Sequence, residues 1–388
     1  MVLKVKKSAE KKFRKGYPLI QEEDLFDFPK TRQWVEFCDH TGAYLATGYL
    51  GSQNKGVGWL ISWSKEVIDE SFFTNRFQIA KARRKSYYHD KTTTAFRIFN
   101  GEGDGLGGVT VDLYGEYALF SWYNETLYSH REMLLAAFIK AYPEILGIYE
   151  KVRFPASNVP ESQHVQGQEA PEPLFIKENG IHYAVYLNEG LMTGIFLDQK
   201  EVRGRLATGL AQGKRVLNMF SYTGAFSVAA AMGGAVATTS VDLAKRSLAK
   251  TQEQFAANGI DPESQKVHVM DVFSYFAYAK KKGLLFDVIV LDPPSFARNK
   301  KQVFSVHKNY GELIKDSLPI LAPGGMIIAS TNAANLSRER FKKNIETAFK
   351  ESGAKFTLLE EHHLPEDFGL SAAFPEGDYL KVYFYQVD

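Results

Sequence analysis

The chain has 388 residues, long enough for two or three domains, and its 45% hydrophobic and 24% charged residues suit a soluble protein with well-filled cores. A single cysteine, Cys38, excludes an internal disulfide and points to a reducing, cytoplasmic setting; no apolar run is long enough to span a bilayer, and the basic first residues lack the apolar stretch of a secretion signal. The formal net charge is only +2, yet the positive charge is gathered. Lys4, Lys6, Lys7, Lys11, Lys12, Arg14 and Lys15 stand against Glu10 alone, and RFQIAKARRK at 76–85 has five bases and no acid. Such runs suit either a polyanion or a solvated face.

Residues 1–72 read as a small, mostly β domain. WVEFC at 34–38 alternates as a strand, DHTG at 39–42 is a turn, and AYLATGY at 43–49 is a second strand, which predicts a hairpin. A further strand is expected at 57–63. Residues 73–175 read as a central α+β domain with helices near 74–85 and 131–142 and strands at 96–100, 109–114, 117–122 and 148–152. The glycine run GEGDGLGG at 101–108 lacks the Gly-Lys-Ser/Thr of a phosphate loop and no helix follows it, so a hairpin turn is expected. Pro155, Pro160, Pro171 and Pro173 mark 154–175 as loop or linker.

Residues 176–388 alternate strands and helices, which predicts an α/β domain with a parallel sheet covered on both faces. After a strand at 183–187 and a helix following 193–203, the central unit is KRVLNMFSYTGAFSVAAAMGGAVATTSVD at 214–242. It reads as a buried strand (216–220), a tight turn (Ser221-Tyr222-Thr223-Gly224), an Ala-rich helix stopped by Gly233-Gly234, and a second strand closed by Asp242. Strands at 267–270, 286–291 and 326–330 alternate with helices near 243–257, 272–281, 302–321 and 337–350. The last two strands, near 355–361 and 379–387, have no helix between them, so the final strand is expected to run antiparallel.

Asp242, Asp271 and Asp292 close three strands, and strand carboxyl ends in such a sheet face the ligand crevice. Gly224 is the only glycine of the turn, so the turn suits a nucleoside without phosphates better than a dinucleotide. Asp242 suits ribose hydroxyls, and Asp271 with the backbone of Val272 suits an adenine amino group; helix N-capping is the other common use of such residues. In Asp292-Pro293-Pro294 the prolines remove amide donors and leave carbonyls for a substrate amine or base edge. Phe296 suits stacking on a flat base, or it belongs to the core. Cys38-Asp39-His40 has no companion ligand pair, so no metal site is expected.

The stretches LNMFSYTGAFSVAAA, DVIVLDPPSFARNKK, TGIFLDQKEVR and FPEGDYLK resemble the class I S-adenosylmethionine-dependent RNA methyltransferases of the ribosomal large-subunit cytosine-C5 type. FRKGYPLI resembles the start of their PUA domain and RIFNGEGDGLGGVTVDLY their central domain. The resemblance implies a PUA-like RNA-binding domain at 1–72, a central α+β domain at 73–175 and a Rossmann-like methyltransferase domain at 176–388. It implies S-adenosylmethionine as cofactor, RNA (ribosomal RNA first) as substrate, and a homodimer. It places Phe196, Asp198, Gln199, Asn218, Phe220, Ser221, Tyr222, Thr223, Gly224, Asp242, Leu243, Asp271, Val272 and Asp292 by the cofactor, with Asp292, Pro293 and Phe296 at the reaction.

One position departs from the resemblance. Cytosine-C5 methylation needs a cysteine thiolate that adds to C6 of the base. The family's cysteine lies just after the strand that here reads MIIAS, and this chain has Asn332 there. An amide cannot make that addition, so transfer to a nitrogen or oxygen is expected in its place. A small-molecule methyltransferase and an RNA-associated cofactor-binding protein without catalysis are the alternatives. Arg298, Lys300, Lys301 and Tyr310 are candidate substrate contacts.

Overall fold

The computed structural model describes residues 1–298 and 303–388. By its contacts the chain divides into two units. One comprises Met1–Ile176, Val185–Thr193 and Glu366–Gly377; the other comprises Lys177–Ala184, Gly194–Pro365 and Asp378–Asp388. The sequence places a boundary near 72 that this division does not draw, and two later segments return to the first unit.

Among the described residues the first unit holds a five-stranded sheet from its first 62 residues and a second five-stranded sheet from residues 95–167. The expected hairpin pairs Val35–Cys38 with Tyr44–Leu50. The glycine run joins two antiparallel strands, Ala95–Asn100 and Val109–Tyr114, as expected. Close packing explains one of its glycines: a Cβ on Gly107 would lie 2.3 Å from the Trp59 ring. Phe73, Phe77, Phe99, Phe120, Trp122 and Phe138 share one aromatic core. Two expectations change here. The N-terminal basic run contains a helix, Lys7–Arg14, that buries Ala9 and Phe13 and pairs Lys12 with Asp24 at 2.6 Å, so part of its charge is spent within the fold. The segment read as linker contains a strand, Ser162–Gly167, paired antiparallel with Gly147–Val152.

The second unit is built on a seven-stranded sheet. Its strands are β1 (Arg215–Met219), β2 (Ala237–Asp242), β3 (Lys266–Val269), β4 (Phe286–Leu291), β5 (Leu321–Thr331), β6 (Phe356–His362) and β7 (Lys381–Val387). They lie in the order β3-β2-β1-β4-β5-β7-β6. β7 alone is antiparallel to its neighbours β5 and β6, as the missing crossover helix requires. The helices are α1 (Ala225–Met232), α2 (Arg246–Ala256), α3 (Val272–Lys281), α4 (Val306–Ser317) and α5 (Arg338–Glu351).

Strand alternation sorts these helices. Leu217, Met219, Ile289, Leu291, Ile327 and Ala329 share one core with the apolar faces of α3, α4 and α5. Asn218 points the other way, where its amide donates to Ser227 of α1 at 3.1 Å. β1 sits where the order reverses, with β2 on one side and β4 on the other. This switch point opens a crevice at the carboxyl ends of the strands.

Candidate functional site

The crevice begins at the turn between β1 and α1. Phe220 and Tyr222 hold φ of 59° and 51°, and Gly224 holds 77°. Left-handed backbone at a non-glycine residue costs about 1–3 kcal/mol and persists where the surroundings impose it. Here they do. The amide of Ser221 donates to Val241 O at 3.0 Å, and that of Tyr222 donates to Asp242 Oδ2 at 2.8 Å. Thr223 Oγ1 donates to Gly194 O at 2.6 Å. Gly224 is obligatory on two counts, its positive φ and a Cβ position only 2.4 Å from Thr251 Cγ2.

The turn forms one wall of a cavity of about 370 Å3. Phe196, Asp198, Gln199, Phe220, Ser221, Tyr222, Thr223, Asp242, Leu243, Asp271, Val272, Asp292 and Pro293 all line it. Three expected site residues do not. Asn218 is buried beneath the turn on α1. Gly224 caps α1 and acts through the backbone. Phe296 lies on a short hairpin, is 62% exposed and belongs neither to the lining nor to the core. Phe304, from the opposite strand of that hairpin, lines the cavity instead and packs on Phe220 and Phe273 with ring centroids 6.2 and 6.1 Å away. Its alternating context carries no signal of this in the sequence. Phe273 was legible as the neighbour of Val272.

The three strand-end carboxylates are held differently. Asp242 accepts from the amides of Tyr222 and Ala244, each at 2.8 Å, and an ionised carboxylate with about four acceptor sites retains capacity for a diol. Asp271 caps α3 by accepting from the Ser274 amide at 3.1 Å, so the capping role is realised at a residue that also lines the cavity. Asp292 accepts from Gln199 Nε2 at 3.1 Å, and the same amide donates to Ser330 Oγ at 2.7 Å. Burial pushes the Asp292 carboxyl up to about 6; the nearby Asp198 adds to the rise, while bonds from Ser330 and Gln199 and the charge of Arg203 oppose it.

Beside Asp292-Pro293-Pro294, Ser295 Oγ donates to Asn332 Oδ1 at 2.8 Å, and Asn332 lines the cavity. Cys38 belongs to the other unit, where it is buried in the first sheet with Sγ 3.4 Å from Leu3 O. Tyr310 is no substrate contact: it is buried in the core and donates to Leu291 O at 3.0 Å. Lys300 and Lys301 lie outside the described residues.

The donor set decides what the cavity can hold. Asp198, Asp242, Asp271 and Asp292 face it, against Arg203 as the one basic residue of its lining among the described residues. Arg203 is already neutralised by a buried two-point pair with Glu178 at 2.6 and 2.8 Å. A diphosphate would meet four carboxylates and no free cation. A nucleoside bearing positive charge fits, and the buried Ser221 Oγ and Gln199 Oε1, without partners among the described residues, stand in the wall it would contact.

The comparisons agree with this chemistry. The family model of S-adenosylmethionine-dependent methyltransferases matches residues 156–369, and that of PUA-like domains matches residues 3–63. YwbD of Bacillus subtilis, named "Putative ribosomal RNA large subunit methyltransferase", is 50% identical over 392 residues and 99% of each chain is covered. A ribosomal RNA large subunit methyltransferase of Deinococcus radiodurans is 31% identical, with 100% of this chain and 97% of the relative covered. The crystal structure of SMU.776 complexed with SAH superposes with a TM-score of 0.94 at 51% identity over the full length of both chains.

Proposed function

The chain belongs to the S-adenosylmethionine-dependent methyltransferases, with a PUA-like domain at its N-terminus, and from that premise we propose that it methylates a base of RNA, ribosomal RNA first. The names of the relatives support the substrate class. So does the basic run at residues 4–15, which a small-molecule enzyme leaves unexplained. We take the division into 1–72, 73–175 and 176–388, the cytoplasmic setting and the homodimer as parts of the same reading.

S-adenosylmethionine, when bound, supplies an electrophilic methyl group. Asp242 holds its ribose hydroxyls, Asp271 with the backbone of Val272 its adenine, and the wall from Phe220 to Thr223 its methionine end, with Phe196, Asp198, Gln199 and Leu243 completing the enclosure. On the acceptor side, Asp292 and the Pro293 carbonyl accept hydrogen bonds from a base amine and orient its lone pair. With a carboxyl that burial raises to about 6 against the bonds from Ser330 and Gln199, Asp292 then takes the proton the nitrogen releases. The protein's contribution is chiefly positioning.

The observation that carries this reading is Asn332 in the cavity wall. No thiol lines the cavity, so the addition chemistry of cytosine-C5 transfer has no nucleophile there. Transfer from labelled S-adenosylmethionine to undermodified ribosomal RNA, with the product nucleoside identified by mass spectrometry, tests it. A methylated base amine is expected; 5-methylcytidine would overturn the direct route.

A further inference from the structure

The residues that lead into β7 have no part in the reaction as described above, yet they reach two sides of the cavity. Tyr379 donates its hydroxyl to Asp198 Oδ2 at 2.9 Å, and Asp198 is a lining residue that comes from the far end of the unit's sequence. Lys381 opens β7 opposite Thr331 of β5 and is 4% exposed. Its ammonium donates to Tyr379 O at 2.8 Å and to Ala333 O at 2.9 Å. Ala333 directly follows Asn332. Arg338, the first residue of α5, pairs with Asp378 just before Tyr379.

A buried ammonium is costly unless its donors are used, and a Leu or Met stem would pack in the same space without that demand. Both carbonyls it meets belong to residues that set a cavity side chain: one to Tyr379, which holds Asp198, the other to the neighbour of Asn332. We propose that Tyr379 and Lys381 are positioning residues of the methyl-transfer site. Tyr379 fixes the Asp198 carboxylate where it faces the cofactor cavity, and Lys381 ties Tyr379 to the turn that carries Asn332. The two walls of the cavity, one for the cofactor and one for the acceptor, are thereby held in register. The inference uses the cofactor cavity and not the identity of the RNA, so failure of the RNA reading leaves it standing.

Titration calorimetry of the full chain with S-adenosylhomocysteine tests it without any turnover. Tyr379→Phe removes one hydrogen bond to a charged group and is expected to weaken binding about tenfold. Asp198→Ala is expected to weaken it at least as much, and the double variant no further than Asp198→Ala alone, because on this inference the Tyr379 hydroxyl acts on the cofactor through Asp198. In methyl transfer, Tyr379→Phe is expected to raise KM for the cofactor while kcat stays within about threefold. Lys381→Met is expected to reproduce the loss in affinity; if that variant fails to fold, the Tyr379–Asp198 cycle still decides. Unchanged affinity in Tyr379→Phe, or effects of the two changes that add, would reduce Tyr379 to packing. Unchanged affinity in Asp198→Ala would remove the charged contact itself and the inference with it.

Discussion

The two walls of the cavity are built on opposite plans. The centre of the cofactor wall is local: one turn, three strained or glycine backbones and a carboxylate bonded by two main-chain amides lie within residues 220–244, and Asp198 and Asp271 join it from outside that stretch. The acceptor side is assembled from afar: the segments that carry Asp292 and Asn332 meet through the Ser295–Asn332 bond, and Gln199, from a third segment, bonds both Asp292 and Ser330. Main-chain geometry leaves little to exchange without loss of the fold. A side-chain network can change one member, and on the reading proposed above Asn332 is such a change. The comparison teaches that cofactor and acceptor chemistry can drift independently on one sheet.

The largest expected effect breaks the acceptor wall alone. Asp292→Ala should lower single-turnover methyl transfer by about 100- to 1000-fold, as loss of a group engaged in the transition state does. The cofactor wall should answer differently. Asp242→Ala should weaken S-adenosylhomocysteine about tenfold or more by calorimetry, with the rate at saturating cofactor changed far less. An equal fall in both quantities would mean that the walls are not separable.

Gly224→Ala probes the strained turn. It places a Cβ at positive φ and against Thr251, so a stability loss of about 1–3 kcal/mol in thermal or denaturant unfolding is expected. A smaller effect should sharpen the acceptor side. The Asp292 carboxyl titrates near 6, so methyl transfer should fall as pH drops through that value, where the protonated acid no longer accepts. Gln199→Met removes a bond that favours the ionised form and should move this acid limb to higher pH. The stability sign is the reverse of the usual carboxylate case. Because the folded-state value lies above 3.8, ionising Asp292 costs stability as pH rises from there through about 6. Asp292→Asn should flatten that component in pH-dependent unfolding.

Much of the second unit was legible in the residue pattern. Continuous apolar runs such as FDVIVL mark strands buried on both faces, and β4 occupies 286–291 as read. The absence of a helix before the last strand was enough to make it antiparallel. The candidate cavity was legible at the strand ends: Asp242, Asp271 and Asp292 all line it. It was illegible where a side chain's direction depends on hairpin register. Phe296 pairs with Ser305 and Phe304 with Ala297, so the two stand in neighbouring pairs of that hairpin, and only the folded hairpin decides that Phe304 turns inward. The helix Lys7–Arg14 was hidden because its charge outweighs its short apolar stripe of Ala9 and Phe13.

By itself the sequence determined the alternation of strands and helices, the acids at the strand ends and the turn with its one glycine. Each of these rests on short-range chemistry, namely periodicity, backbone preference and residue identity. Only the tertiary structure decided that Gln199 and Ser330 share Asp292, that Glu178 neutralises Arg203, and that Tyr379 holds Asp198 from across the unit. These are pairings between residues remote in sequence. Periodicity carries no information about them, because their partners are chosen by the register of the sheet and the packing of its helices.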